Sequence, residues 1–246
     1  MLKIVAAVRR KPGMTHTEYL AYIEQVHGKL ATDNPLQLHR YVQNHAFDGA
    51  YGSGDRPDHV GVFHRDSVTE LYFTSPQAMA ETFSAEYNRT VIAPDGAHFA
   101  ELPTNQALLT IETVLVPPPA APAANMVKIM MLLTCAEGVV AAEAQAGWQA
   151  AHEAGLAAAP AFATAICGLT RSDPQDSGPG AAMAAHFGGG DQPPLALLVS
   201  IWAPEDALAN FRRYERSVLA SGLFHRDYSY FLFTREVEIL APRMDQ

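Results

Sequence analysis

Residues 8–45 read VRRKPGMTHTEYLAYIEQVHGKLATDNPLQLHRYVQNH, and the fold is decided by how this stretch is parsed. The apolar run Leu2–Val8 that enters it has the length and β-branched content of a strand, and Pro12-Gly13 stops it. Thr15 followed by Glu18 is a capping box: the hydroxyl and the carboxylate each satisfy a free backbone donor at a helix start. Tyr19, Ile23, Val26 and Leu30 then recur at helical spacing as a core stripe, with Tyr22 and His27 on its flanks. Asn34-Pro35 ends the helix, because a residue before proline is pushed out of the α region. Leu38 to His45 follows as a second strand whose alternation sends His39, Tyr41, Gln43 and His45 to one face and Leu38, Arg40, Val42 and Asn44 to the other. Four hydrogen-bonding or aromatic groups on one face suit a small-molecule site better than plain core.

Working outward, residues 46–65 carry Gly49, Gly52, Gly54 and Pro57 and read as a long polar loop. Thr69–Phe73 is a third strand, Ser75-Pro76 opens a second helix running to about residue 91, and Leu108–Val116 is a fourth strand. This βαββαβ order is a ferredoxin-like split motif with strand order 4-1-3-2. Pro117–Ala124, PPPAAPAA, can neither pair in a sheet nor hold a helix and reads as a stiff linker.

The order then begins again. A shift of 125 places Lys3-Ile4 on Lys128-Ile129, Gly13 on Gly138, Glu18 on Glu143 and His27 on His152. Three further residues of shift place Pro76 on Pro204 and Phe83 on Phe211, and bring the last strand to Phe233–Leu240. One four-stranded unit leaves a sheet face bare, and two units bury those faces together. The expected fold is α+β: two tandem ferredoxin-like (βαββαβ) units packed sheet to sheet as a pseudo-dimeric α+β barrel. The units are 1–117 and 126–246, with the linker at 118–125. Cys135 and Cys167 fall on strands that are not neighbours in this order, so both should be free thiols.

Composition narrows the function. Seventeen basic and twenty-six acidic residues give a net charge of −9, and the longest basic run is Arg9-Arg10-Lys11, which argues against nucleic acid and anionic membrane as partners. No apolar run approaches membrane-spanning length, and the N-terminus reads as a strand rather than a signal peptide. Two cysteines make no disulfide framework, and a reduced, cytoplasmic protein is expected.

Several strings carry a family likeness: Lys11-Pro12-Gly13-Met14-Thr15, Glu18-Tyr19, Tyr22 and His27, Tyr41-Val42-Gln43-Asn44-His45, Asp66 to Phe73, and Asp95 to Phe99. Together they resemble the EthD family, named for ethyl tert-butyl ether degradation. The likeness covers nearly all of residues 1–117, and the second half resembles the family only in outline. Lys29 stands where the family commonly has a proline two positions after the histidine. The resemblance implies a dimeric α+β barrel, with relatives among aromatic polyketide cyclases, antibiotic-type monooxygenases, muconolactone isomerases and some haem-using enzymes. Some members are treated as dehydratases of aromatic polyketides, and others accompany oxidative catabolism.

The expected catalytic residues are His27 and His45, with Tyr22, Tyr41, Gln43, Glu70 and Asp95 binding or orienting. A neutral imidazole takes a proton from carbon or hydroxyl and returns it elsewhere. Tyr41 or Gln43 would hold a developing oxyanion, and Asp95 or Glu70 would orient a ring. The competing reading makes His27 a packing residue, since it recurs as His152. The strand-two face does not recur: its counterparts at the same shift are Thr164, Ile166, Gly168 and Thr170. That asymmetry favours one active unit and one scaffold unit. No zinc helix, phosphate loop or nucleophile elbow is present in the sequence, and His59, His64 and His98 have no metal-demanding spacing. No cofactor and no metal are expected. The segment from Ser172 to Pro194 reads as a disordered or lid-like insertion. These features point to a cofactor-independent enzyme performing dehydration, isomerisation or cyclisation on a small aromatic or hydrophobic substrate. The alternatives are a non-catalytic accessory protein of an oxidative pathway and a cofactor-free monooxygenase. A homodimer of the pseudo-dimer is a further expected partner.

Overall fold

The computed structural model describes residues 1–52, 64–120, 123–175 and 195–243. Most of the 46–65 loop and of the 172–194 segment lies outside the described residues. Within them, Ala46–Tyr51 continues strand two, and Ser172–Pro174 closes another strand, so both loops are shorter than their composition suggests.

Eight antiparallel strands form one closed barrel: β1 (Leu2–Val8), β2 (Arg40–Tyr51), β3 (Ser67–Phe73), β4 (Gln106–Val116), β5 (Met126–Thr134), β6 (Gly168–Pro174), β7 (Leu195–Pro204) and β8 (Tyr230–Leu240). Their order around the barrel is β1-β3-β2-β8-β5-β7-β6-β4. The expectation of two sheets stacked face to face is therefore refined: the ladders β2–β8 and β4–β6 join the two sets of four at both edges. β2 has 12 residues and β4 has 11, long enough to run past their neighbours and satisfy edge groups that a separate sheet leaves unpaired. Both cysteines are free.

Helices cover the outer surface. α1 runs as His16–Tyr22, a π-helical turn at Ile23–His27, and Gly28–Asp33. The Thr15/Glu18 capping box forms as the sequence predicts. α2 (Pro76–Ser84) is capped by Ser75 and stops at Ala85, whose ψ of 141° is extended. A separate helix, α3, follows as a π-helical turn at Asn88–Ile92 and then Ala93–Phe99. The single second helix read from the sequence is thus two. The π turn just before Pro94 accommodates a ring that cannot donate to the preceding turn. α4 (Ala141–Ala158) and α5 (Leu208–Leu219) cover the C-terminal strands.

The two outer layers are packed differently. Under α4 and α5 one continuous cluster includes Trp148, Phe162, Phe211, Tyr214 and Phe233. Gly155 sits where a Cβ would lie 2.7 Å from the Tyr214 ring. Gly155→Ala is expected to cost about 1–3 kcal/mol by overpacking, read as a lowered denaturation midpoint with unchanged slope. Under α1 and α3 the layer divides into two smaller clusters, one around Tyr41, Phe73 and Leu109 and one around Tyr19, Ile23 and Phe99. A cavity opens between them.

The barrel lumen holds charge. Lys3, Glu70 and Lys128 are all buried, with Glu70 accepting from both lysines and from Asn44. Lys3 also pairs with Glu112 and Lys128 with Glu236 at 3.2 Å. Burial alone would raise the Glu70 pKa, but Lys128 and Lys3 outweigh it and hold the carboxyl well below its ordinary range.

Candidate active site

The cavity has a volume of about 200 Å³ and lies between the outer face of β1, β2 and β3 and the helices α1 to α3. Its walls are chiefly apolar, with Ala6, Val8, Leu71, Phe73, Ile92 and Phe99 among them, while His27, Tyr41, Thr69 and Asn88 supply polar groups. Both π-helical turns border it, through Ile23 and His27 on one side and Asn88 and Ile92 on the other. In a π turn the backbone bonds skip one residue further, as in Gly28 N–H to Ile23 O, which widens the helix.

His27 is the basic group of the cavity. Its Nδ1 lies 2.8 Å from Asp95 Oδ2, and its ring packs on Phe99 with centroids 4.7 Å apart. Asp95 Oδ1 accepts from the Tyr22 hydroxyl at 2.7 Å and meets His98 Nδ1 at 3.2 Å. Burial tends to raise the Asp95 pKa, but the bonds from Tyr22 and His27 prevail and lower it, so the carboxylate stays ionised. Burial lowers the His27 pKa by more than Asp95 restores, so the ring is neutral. A neutral ring that donates through Nδ1 leaves Nε2 as a base, and no hydrogen-bond partner for Nε2 is found among the described residues. Burial and the bond to Asp95 push the Tyr22 hydroxyl up to about 12, keeping it a donor.

Tyr41 reaches the cavity from β2, with its hydroxyl raised to about 12 by burial. Behind it on the same strand face lie Gln43 and then His45, each bonded to the next. Neither touches the cavity. Tyr19, whose hydroxyl shares a 2.6 Å hydrogen bond with Ser67, lines the cavity beside His45's cross-strand partner. His39 precedes β2 and is half-buried.

Of the residues expected from the sequence, the structure brings together His27, Asp95 and Tyr22 on the helices and Tyr41 below them. It sets Gln43 and His45 one and two steps further back. It does not bring Glu70 to the site: alternation on β3 turns this residue into the lumen while Thr69 and Leu71 face the cavity. Sequence reasoning missed Thr69, Phe99 and Asn88 as cavity wall. The Asp95/His98 spacing of three residues was a visible helical signal for α3.

His152 illustrates the packing alternative. Its Nδ1 meets the Tyr214 hydroxyl at 2.7 Å and its ring stacks on Trp148 at 4.8 Å, inside the filled cluster. The sequence counterparts of the β2 face need correcting by three residues. Tyr41 pairs with Leu71, and Leu169 pairs with Ile201, so Leu169, Arg171 and Asp173 occupy the matching positions on β6. Arg171 bonds Asp173 at 2.7 Å and lies over Trp148, closing that space with an ion pair and a ring.

His45 carries a testable consequence. Burial, with a smaller contribution from His16, lowers its pKa to about 4. Between its ordinary value near 6.5 and 4 the unfolded chain takes up a proton that the folded chain refuses. Folding stability should therefore fall as pH drops through that window, by up to about 3 kcal/mol from this group. The lowered His27 and His152 act with the same sign. Chemical denaturation at stepped pH checks this, and His45→Gln should flatten the slope.

Residues 11–103 match the EthD domain family. No curated protein matches the chain significantly. Among solved structures, an anthrone oxidase-like protein aligns over 97% of this chain and 93% of its own at 7% identity, with a TM-score of 0.55. A candidate monooxygenase from Fusobacterium nucleatum subsp. nucleatum aligns over 100% and 96% at 6% identity, with a TM-score of 0.53. A mutant chlorite dismutase from Candidatus Nitrospira defluvii aligns over 97% and 92% at 8% identity, with a TM-score of 0.50. These likenesses concern the fold. Among the described residues no helix is long and apolar enough to cross a membrane. The family match covers the stretch that supplies His27, Tyr41 and Asp95, and the chain shares its α+β barrel fold with these structures.

Proposed function

We propose that this protein is a cytoplasmic enzyme acting on a small, flat, largely apolar substrate with an acidic C–H next to a carbonyl or phenol-type oxygen. We read it as two βαββαβ units, 1–117 and 126–246, of which the first carries the site and the second is scaffold. The observation that carries this reading is the Asp95–His27 pair at the wall of an apolar cavity that Tyr41 also lines. His27 Nε2 takes the proton from carbon, the electron pair moves onto the neighbouring oxygen, and Tyr41 donates a hydrogen bond to that oxygen. Returning the proton to another carbon gives isomerisation. Loss of a β-hydroxyl as water gives dehydration, and attack of the carbanion on a second carbonyl gives cyclisation.

A second reading starts from the same proton abstraction and is favoured by the likeness to an anthrone oxidase-like protein and a candidate monooxygenase. The carbanion then meets molecular oxygen: one oxygen atom ends as a new carbonyl and the other leaves as water, at the expense of two substrate hydrogens. The test is solvent deuterium exchange into a panel of fused-ring enolisable ketones, followed by NMR with and without oxygen. Exchange that depends on His27 supports the shared first step, and product formed only in air selects the second reading. Binding without exchange across the panel would point to the accessory role.

A further inference from the structure

The hydrogen-bond chain below the cavity has its direction set by one group that can only accept. Gln43 Nε2 lies 2.6 Å from the Ile23 carbonyl oxygen and 2.8 Å from the Tyr41 hydroxyl, while Gln43 Oε1 lies 2.9 Å from His45 Nε2. A backbone carbonyl has no proton, so the amide nitrogen must face Ile23; the reversed amide would oppose two acceptors at 2.6 Å. Two consequences follow. His45 must donate to Oε1 through Nε2–H, which fixes its tautomer. The Tyr41 oxygen receives the second amide proton, so the tyrosine's own proton is turned away from Gln43. Thr69, on the cavity wall, acts on the Tyr41 hydroxyl in the direction that lowers its pKa.

We propose that Gln43 is a positioning residue that, clamped between His45 and the π-helical turn bearing His27, commits the Tyr41 hydroxyl to donating into the cavity, toward an enolate or phenolate oxygen of the substrate. This rests on the reading of His27 as base and Tyr41 as oxyanion donor, and it moves Gln43 from a substrate contact to a support. Ile23 opens the π turn that ends at His27, so one amide ties the base-bearing turn and the donor together. All partners of the amide are buried, which keeps water from competing for them.

4-Nitrophenol is a suitable probe, because the absorbance of its phenolate reports ionisation without turnover. Wild-type protein should lower the apparent pKa of the bound probe by about one unit or more, with the proton passing to His27 and the phenolate held by Tyr41. Gln43→Met, similar in size but without the amide, should lose most of that shift while changing affinity for the neutral phenol less than about threefold. Tyr41→Phe should show the same loss. If Tyr41→Phe loses the shift and Gln43→Met keeps it, the role given to Gln43 is wrong and the oxyanion reading stands. If the wild type produces no shift, the reading of His27 and Tyr41 fails and this inference with it. Nitrogen-15 NMR of the wild-type histidines gives a second measurement that needs no variant to fold. A neutral His45 protonated at Nε2 supports the chain direction, and protonation at Nδ1 overturns it.

Discussion

His27→Gln is expected to lower turnover of the true substrate by about two orders of magnitude or more, equivalent to about 2.7 kcal/mol in the barrier, with little change in melting temperature. Glutamine keeps the volume and can donate its amide to Asp95, so the Asp95 carboxylate, which Tyr22 and His98 also hold, is not stranded. What disappears is the unprotonated Nε2 of a residue that lines the cavity. Asp95→Asn should act in the same direction through the ring: an amide in place of the carboxylate removes the charge that orients Nδ1–H and stabilises the imidazolium formed when Nε2 takes a proton. The rate should fall in acid as His27 protonates, with an apparent pKa below the ordinary histidine value because burial lowers it. Steady-state kinetics of both variants across pH measures this. Wild-type turnover in His27→Gln would remove the residue from the chemistry and leave it a packing group like His152.

Glu70→Ala should be the most destabilising single change at a charged position, costing about 3–5 kcal/mol and lowering the melting temperature by roughly 10 °C for a chain of this size. Glu70 is fully buried and stands between two buried ammonium groups, Lys3 on β1 and Lys128 on β5, with Asn44 donating to it as well. Removing it leaves Lys3 with Glu112 and Lys128 with Glu236, two cations close together in a low-dielectric lumen with their shared counter-ion gone. The bridge also crosses between the N-terminal and C-terminal strands, so its loss weakens the barrel as a whole. Because Glu70 faces away from the cavity, the protein that remains folded should keep its turnover per active molecule. Denaturant titration alongside active-site titration separates the two effects. An unchanged melting temperature would mean that the lysines find other partners or release their protons at little cost.

Much of this was legible before any coordinates. The capping box at Thr15 and the alternation along Tyr41, Gln43 and His45 are local patterns that form where the sequence places them, whereas the helical stripe holds only at Tyr19 and Ile23: the π turn rotates the helix, so that Gly28 and Ala31 are buried and Val26 is exposed. They are local because capping, helical period and strand pleat depend on residues within a few positions of one another. The fourfold face on strand two was less informative than it looked. Alternation says that Tyr41, Gln43 and His45 share a side, but not that the helix above uncovers only the first of them.

Other features depended on distance in the chain. Asp95 meets His27 across 68 residues, and it does so because α3 restarts after the break at Ala85. Glu70 and Thr69 are sequence neighbours with opposite fates, one in an ionic lumen and one on the cavity wall, and only barrel closure says which face is which. The count-based shift placed the β6 counterparts of the β2 face three residues away from those that strand pairing gives, because pairing rather than spacing sets the match.

The amino-acid sequence by itself determined the strands, the first helix with its cap, and a basic residue at the helix flank, since these follow from short-range backbone chemistry and hydrophobic period. Only the tertiary structure decided that His27 gains a carboxylate, that Tyr41 shares its cavity, and that Gln43 stands behind both. Those relations depend on which faces the closed barrel turns outward and on how two π-widened helices pack over them, and neither is encoded within any one segment.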